Sequence, residues 1–386
     1  MKNTKKWNYI AVIFVLLLIA FLFIVRTGNS YMSTYTTIKT IIEDNYSSLP
    51  FDSHFKQLYF DYLRVTNRNH YNNVTFLTDG RLMTDNLNPT TFLEERTDAI
   101  TQLNNYIKNN DTEFLFVRVP NKLQDNSVLP IPFSENSIIE ESSKLIQMIS
   151  DNGVDTLDLR AEMENDNINF QTAYYRYDIH WKAETALWAA GNIGNFINRE
   201  YGFNIDETVW NPDLYDRITY NNAFQGNEIK FVNGYRTFED ITVLVPTFET
   251  DFMMRHRVFE GRIYGDFIDV FVPKVRNEHN ERFYFTDYSI PEYNYSHIEN
   301  LNAGNNKSAL LIADSFGLSL STFFSMGFEH IDFIYLITGH TEDILWNVID
   351  DGNYDIVIFA LSDAVVSLED RPVFSEDRLY IGYPPE

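Results

Sequence analysis

The chain has no cysteine, and that absence removes both a disulfide framework and a thiolate metal site. Positive charge is also scarce: 30 Lys and Arg stand against 55 Asp and Glu, a net charge of −25. Such a surface repels nucleic acid and disfavours polyanions unless a basic groove or divalent cations intervene; it also serves simply to keep an exported protein soluble. No internal repeat or low-complexity tract appears, and glycine-rich phosphate loops are missing, so a nucleotide enzyme is not expected. His54, His70, His256, His279, His297, His330 and His340 are scattered. None has the ligand spacing of a zinc motif, and no metal or other cofactor is expected.

Long hydrophobic runs are confined to one place. Ile10 to Val25 reads IAVIFVLLLIAFLFIV, and Trp7 to Tyr9 extend it. Roughly 20 residues cross a hydrocarbon core of about 30 Å. Lys2, Lys5 and Lys6 precede the run and Arg26 follows it, which keeps the N-terminus in the cytoplasm by the positive-inside rule. A cleaved signal peptide is the competing reading, but its apolar region is shorter and ends in small residues; Arg26-Thr-Gly-Asn-Ser30 offers no such site. Residues 1–29 are therefore expected to be a single-pass membrane anchor, with the rest of the chain extracytoplasmic. Without them, 26 basic residues face 55 acidic ones, a net charge of −29. Residues 30–50 read as a polar stalk and 51–386 as one large α/β domain.

Within that domain strands and helices alternate. Helical spacing marks Phe55 to Leu63, and Asn73 to Gly80 reads as a strand ending in an Asp-Gly turn. Phe114–Val119, Val154–Leu159, Ala309–Ala313, Ile331–Ile337 and Tyr354–Leu361 read as strands, and Ile138–Ile149, Trp181–Glu200, Phe316–Phe324 and Thr341–Ile349 as helices. This rhythm predicts crossover units and a mostly parallel sheet covered on both faces. Residues 204–300 differ: Ile241–Val245, Phe267–Val272 and Arg282–Phe285 suggest a β-rich insertion without helices.

Two segments could carry chemistry. In Ala313-Asp-Ser-Phe-Gly317 an apolar strand meets a helix at a tight turn presenting Ser315, where helix N–H groups can stabilise an oxyanion. The same residues read equally as an N-cap, since Asp and Ser are preferred there. In Tyr174-Tyr-Arg-Tyr-Asp-Ile-His-Trp181, His180 could serve as a base oriented by Asp178; alternatively Asp178 initiates a helix and His180 is a buried neighbour. Taken together they supply nucleophile, base and orienter, and both are expected at strand-to-helix junctions of one sheet.

The pair YYRYDIHW and ALLIADSFG resembles the SGNH-hydrolase-like proteins of the alginate O-acetylation type and the DHHW family, in which Asp-x-His-Trp precedes the Asp-Ser turn. The resemblance spans roughly residues 50–365. Asn73–Arg81, Val119-Pro-Asn-Lys122, Phe224-Gln-Gly-Asn227 and Tyr354–Leu361 are similar to further family segments. It implies an SGNH-like (flavodoxin-like) three-layer sandwich, with Ser315 as nucleophile, His180 as base and Asp178 as its orienter. Gly226 and Asn227 would line the oxyanion side, and Lys122 and Tyr335 would contact substrate. Ala313 stands where the family has glycine, Lys182-Ala-Glu-Thr-Ala186 departs from the Thr and Gly pattern that commonly follows the family's His-Trp, and Ile334 replaces a common arginine. The implied activity is O-acetyl transfer to a cell-envelope polysaccharide, the donor being supplied by a multi-pass membrane acyltransferase. A carbohydrate esterase using the same residues, or a non-catalytic glycan-binding protein on this fold, are the alternatives; beyond about 4–5 Å between His180 and Ser315 the non-catalytic reading would be favoured.

Overall fold

The computed structural model describes residues 52–66, 70–84, 93–130, 138–232, 236–256, 261–276, 283–284, 289–290, 295–336 and 342–363. The expected anchor and stalk, and residues 282 and 285 of the segment 282–285 read as a strand, lie outside them. Among the described residues no helix is long and apolar enough to cross a membrane. The described residues from Phe60 onward belong to one compact unit, and the site lies in it.

Chain order begins with helix α1 (Asp52–Val65) and a small antiparallel sheet of β1 (His70–Tyr71), β2 (Val74–Phe76) and β3 (Leu82–Thr84). Next come α2 (Leu93–Lys108), β4 (Glu113–Val119), α3 (Ile138–Asp151), β5 (Thr156–Asp158), α4 (Leu159–Asn165), α5 (Phe170–Ala173) and α6 (Ala183–Tyr201). The middle of the chain holds β6 (Tyr215–Phe224), α7 (Asn227–Phe231), β7 (Glu239–Pro246), β8 (Phe252–His256), β9 (Arg262–Gly265), α8 (Phe267–Phe271) and β10 (Tyr295–Asn300). It closes with β11 (Ser308–Ala313), α9 (Phe316–Phe324), β12 (His330–Tyr335), α10 (Glu342–Asp351) and β13 (Ile356–Ser362).

The main sheet has eight strands in the order β5-β4-β13-β11-β12-β10-β8-β9. The first five run parallel, and β10, β8 and β9 continue it antiparallel. The parallel strands are near-continuous apolar runs because both of their faces are covered. On β4, Leu115, Val117 and Val119 join one core and Phe114 and Phe116 the other; β11 divides in the same way, with Ala309, Leu311 and Ala313 opposite Leu310 and Ile312. The first core is closed by α4, α6 and α9, the second by α2, α3 and α10. Helix α6 ends where Gly202 takes a left-handed φ of 68°, a conformation that costs glycine no Cβ clash.

Two expectations change. Phe267–Phe271 is a helical turn; a five-residue apolar run does not distinguish strand from buried helix by periodicity, and here the Asp266 side chain accepts from the backbone N–H of Asp269 and caps it. The segment 204–300 also divides: β8, β9 and β10 join the main sheet, while β6 and β7 pair as a separate ribbon.

Candidate active site

Ser315 stands at the C-terminal end of β11, where the chain turns into α9. Both adjoining residues had been candidates for the helix cap, and the structure separates their tasks. Asp314 is fully buried and accepts from Phe316 N–H through Oδ1 (3.0 Å) and from Ser362 N–H on β13 through Oδ2 (2.8 Å). Ser315 makes no side-chain cap bond, which leaves its Oγ available. Burial pushes the Asp314 carboxyl up, against the hydrogen bonds it accepts.

His180 is not at a strand end, contrary to the expectation of two equivalent strand-to-helix junctions. It lies in a tight loop between α5 and α6, closed at its base by a bridge between Tyr174 and Trp181 and by Lys182 N–H to Ala173 O (2.9 Å). The loop is pinned from three sides. Glu239 accepts from the N–H groups of Arg176 and Tyr177 (2.9 and 3.0 Å). The turn after β2 holds Arg176, whose Nε donates to Gly80 O at 3.0 Å. Gly80 has φ +83°, and a Cβ there would lie 2.5 Å from the guanidinium, so only glycine suits the position. Finally, the fully buried Trp181 donates its indole N–H to Ser319 Oγ on α9 (2.8 Å) and packs edge-on against Phe316. That last contact ties the histidine loop directly to the helix that follows Ser315.

These constraints bring three side chains into line. His180 Nε2 lies 2.8 Å from Ser315 Oγ, and His180 Nδ1 lies 2.6 Å from Asp178 Oδ1. An ionised carboxylate only accepts, so Nδ1 carries the proton and Nε2 is left to accept from the serine hydroxyl. Asp178 also accepts from His180 N–H (3.1 Å) and, through Oδ2, from Asn227 N–H (2.7 Å). Burial works against the charged Asp178 carboxylate, but the His180 imidazole and these hydrogen bonds outweigh it and hold the carboxyl below its usual range. The arrangement can move a proton from Ser315 to His180 and stabilise the imidazolium that results.

The remaining expected residues take other parts. Asn227 spends its backbone N–H on Asp178, and its exposed side chain accepts from Lys230. Gly226 matters for close approach: a Cβ there would sit 2.0 Å from Tyr177 O and 2.8 Å from Asp178 N. Both support the orienting carboxylate rather than an oxyanion. Lys122 is completely buried, its ammonium 2.6 Å from Glu228 Oε2 and also donating to Leu82 O, so it braces the floor beneath Gly226–Asn227 and does not face a substrate. Tyr335 is half-buried at the end of β12, paired with Ala313, on the same edge of the sheet as Ser315. At the helix start, where N–H groups were expected to be able to stabilise an oxyanion, those of Phe316 and Gly317 donate to Asp314 Oδ1 and Asp314 O.

A second network went unseen in the sequence. Asp363, directly after β13, is fully buried between Arg118 Nε (2.8 Å) and Arg160 Nη2 (3.2 Å) and accepts from Asn121 N–H. It fixes the Pro120–Lys122 turn, whose Pro120 carbonyl receives the Tyr174 hydroxyl at 2.6 Å. No metal-ligating group adjoins Ser315; among the described residues the one such cluster is His297, Glu299 and His330, at the other end of the sheet.

Residues 76–208 match the family model described as SGNH hydrolase-like domain, acetyltransferase AlgX. That stretch, about a third of the chain, is similar to an SGNH hydrolase-like domain. The matched stretch includes Lys122, Asp178 and His180 and stops before Ser315, which the fold brings to them. PatB1 from Bacillus cereus, solved with a sulfonyl adduct, superposes with a TM-score of 0.61 at 19% identity, over 81% of this chain and 97% of that one. A DHHW family protein from Eubacterium siraeum superposes with a TM-score of 0.56 at 16% identity, over 81% and 95%. Identities this low speak for the fold. No curated protein matches the chain. The match supports an enzyme of the acyltransferase or esterase type.

Proposed function

We propose that the chain is a serine O-acetyltransferase that modifies hydroxyl groups of an extracytoplasmic polysaccharide. The observation that carries this reading is the continuous contact from Asp178 through His180 to Ser315 at 2.6 and 2.8 Å. His180 takes the Ser315 proton as Oγ attacks the acyl carbonyl of the donor. The backbone N–H of Ser315, which meets no acceptor among the described residues, faces the developing oxyanion. Collapse expels the donor's leaving group, protonated by His180, and leaves an acetyl-serine ester. A sugar hydroxyl then attacks that ester, passing its proton to His180, and Ser315 is released as the alcohol. The apolar run Ile10–Val25 and the acidity of the remainder support placing this chemistry outside the cytoplasm, with the anchor in the membrane beside a multi-pass protein that supplies the acyl donor.

The same steps with water as acceptor describe an esterase. The two differ in whether the occupied site excludes water, so product analysis separates them. A non-catalytic role is disfavoured by the short His180–Ser315 distance.

The test is hydrolysis of p-nitrophenyl acetate by the protein beside Ser315→Ala and His180→Ala. Both substitutions should lower kcat by about 10³-fold or more. An arylsulfonyl fluoride should label Ser315 and stop turnover, as the PatB1 adduct suggests. With glycan acceptors present, acetyl ester on sugar rather than free acetate marks the transferase. Wild-type turnover equal to that of both variants would overturn the proposal.

A further inference from the structure

Strands β10 and β12 pair antiparallel with His297 opposite Asp332 and Glu299 opposite His330. Directly opposed residues share a face, and along β10 the half-buried Tyr295, His297 and Glu299 alternate with the buried Ser296, Ile298 and Asn300. One face of this part of the sheet therefore gathers two imidazoles and two carboxylates. His297 Nδ1 is 2.6 Å from Asp332 Oδ1, and His297 Nε2 is 3.2 Å from Glu299 Oε1. The His330 ring lies nearly parallel to that of His297, centroids 6.2 Å apart. One donor atom from each of His297, Glu299 and His330 falls within 4.8 Å of the others.

We propose that His297, Glu299 and His330 form a binding site for one divalent transition-metal ion of the zinc kind, with water completing its coordination. Tetrahedral bonds of about 2.0–2.1 Å place neighbouring donor atoms roughly 3.3 Å apart. His297 Nε2 and Glu299 Oε1 already stand at that separation, and a rotation of the partly exposed His330 ring brings in the third donor. Asp332 fills the outer role that orients a metal-bound histidine: it accepts at Nδ1 and turns Nε2 toward the ion. Its own position is fixed by the hydroxyls of Tyr295 (2.9 Å) and Tyr354.

The charge balance suits a cation. Glu299, Asp332 and Glu329, the last 3.5 Å from His330 Nε2, outnumber the one facing cation on β8, Arg255, which pairs with His297.

His330 opens β12 beside Ser308, the first residue of β11, whereas Ser315 follows the last. At about 3.3 Å per residue the five steps from Ser308 to Ala313 put the site on the order of 17 Å from the end of the strand that leads to the serine. Its part is that of a clip holding the antiparallel extension to the parallel sheet. It escaped the search for zinc spacing because strand register, not sequence spacing, assembles it.

The experiment is zinc titration calorimetry near neutral pH on the full chain, purified without a histidine tag and freed of metal by chelation. The expected result is one ion per chain at micromolar affinity or tighter. His330→Ala and Glu299→Gln should weaken binding at least tenfold, and Asp332→Asn about 10–100-fold. His330→Gln keeps the test decisive if the alanine variant melts before titration. No stoichiometric binding at micromolar zinc, or wild-type affinity in the folded His330 variants, would overturn the proposal.

Discussion

Replacing Gly226 with alanine should disable the site without touching any of its reacting atoms. The new Cβ would lie 2.0 Å from Tyr177 O, about 1 Å inside the 3.0 Å that real Cβ contacts respect, and 2.8 Å from Asp178 N. The obstacle is backbone, so no side chain can rotate away, and either Gly226–Asn227 or Tyr177–Asp178 must shift by about 1 Å. A shift of that size lengthens the 2.7 Å bond from Asn227 N–H to Asp178 beyond hydrogen-bond range. Losing a charge-assisted bond costs about 1.5–3 kcal/mol, and overpacking adds about 1–3 kcal/mol to the destabilisation. For catalysis the larger effect is misplacement of Asp178 and with it His180; about 1 Å of error costs on the order of 10²-fold in rate, about 2.7 kcal/mol at 1.36 kcal/mol per tenfold. The assay is kcat on p-nitrophenyl acetate together with a thermal melt. The expectation is a kcat lower by about 10²-fold in a protein that still folds, with Asn227→Ala near wild type because only the backbone N–H of Asn227 serves Asp178. A folded Gly226→Ala protein within threefold of wild-type kcat would refute the reasoning. So would an Asn227→Ala loss of equal size, which would restore the side chain to the site.

Two further substitutions test the buried charges around it. Lys122→Met leaves Glu228 buried without its cation and should cost about 3–5 kcal/mol in urea unfolding, while Lys122→Met/Glu228→Gln recovers most of it; no recovery would mean that the ammonium's bond to Leu82 O is the dominant contribution. Asp363→Asn should cost a similar amount. The Asp363 carboxyl is buried, which opposes its charge, but Arg118 and Arg160 hold it below its ordinary value of 3.8. A depressed folded value means that the stability it contributes is full above the unfolded pKa and is lost as pH falls through the folded one. The gap between wild type and Asp363→Asn should therefore stay constant from pH 7 to about 5 and close only below about 4; a gap that closes at pH 6 would sink the assignment.

The parallel half of the sheet was legible because each strand is an apolar run stopped by a turn, the pattern that burial on both faces demands. Helix α2, LEERTDAITQLNNYIK, was missed: its buried Ile100, Leu103 and Ile107 are too sparse among polar residues to announce a core face. The antiparallel extension was read only as a β-rich insertion with β8 and β9 unplaced, since both are short and interrupted by charge. At the site, residue types and local turns pointed to Asp178, His180 and Ser315. Burial and long-range pairing had no local signature, so Lys122 read as a substrate contact and Asn227 as an oxyanion donor. The Asp363 cluster gave no signal because its arginines lie in a strand and a helix far along the chain.

The departures from the family pattern near Ser315 also have a physical reading. A side chain at position 313, where the family has glycine, must fit beneath the first turn of α9. It fits because position 317 is glycine: a Cβ on Gly317 would lie 2.4 Å from the Ala313 methyl and 2.9 Å from the Phe333 ring. One methyl group occupies space that two could not share, so residues 313 and 317 are constrained together. Asp314 completes the turn by taking the cap of α9 and a bond to β13 at once. A helix end this buried needs its N–H groups satisfied, and a serine recruited for that purpose would have its hydroxyl tied to the backbone. Because Asp314 satisfies them, Ser315 Oγ is held among the described residues only by His180, which is the condition a nucleophile requires.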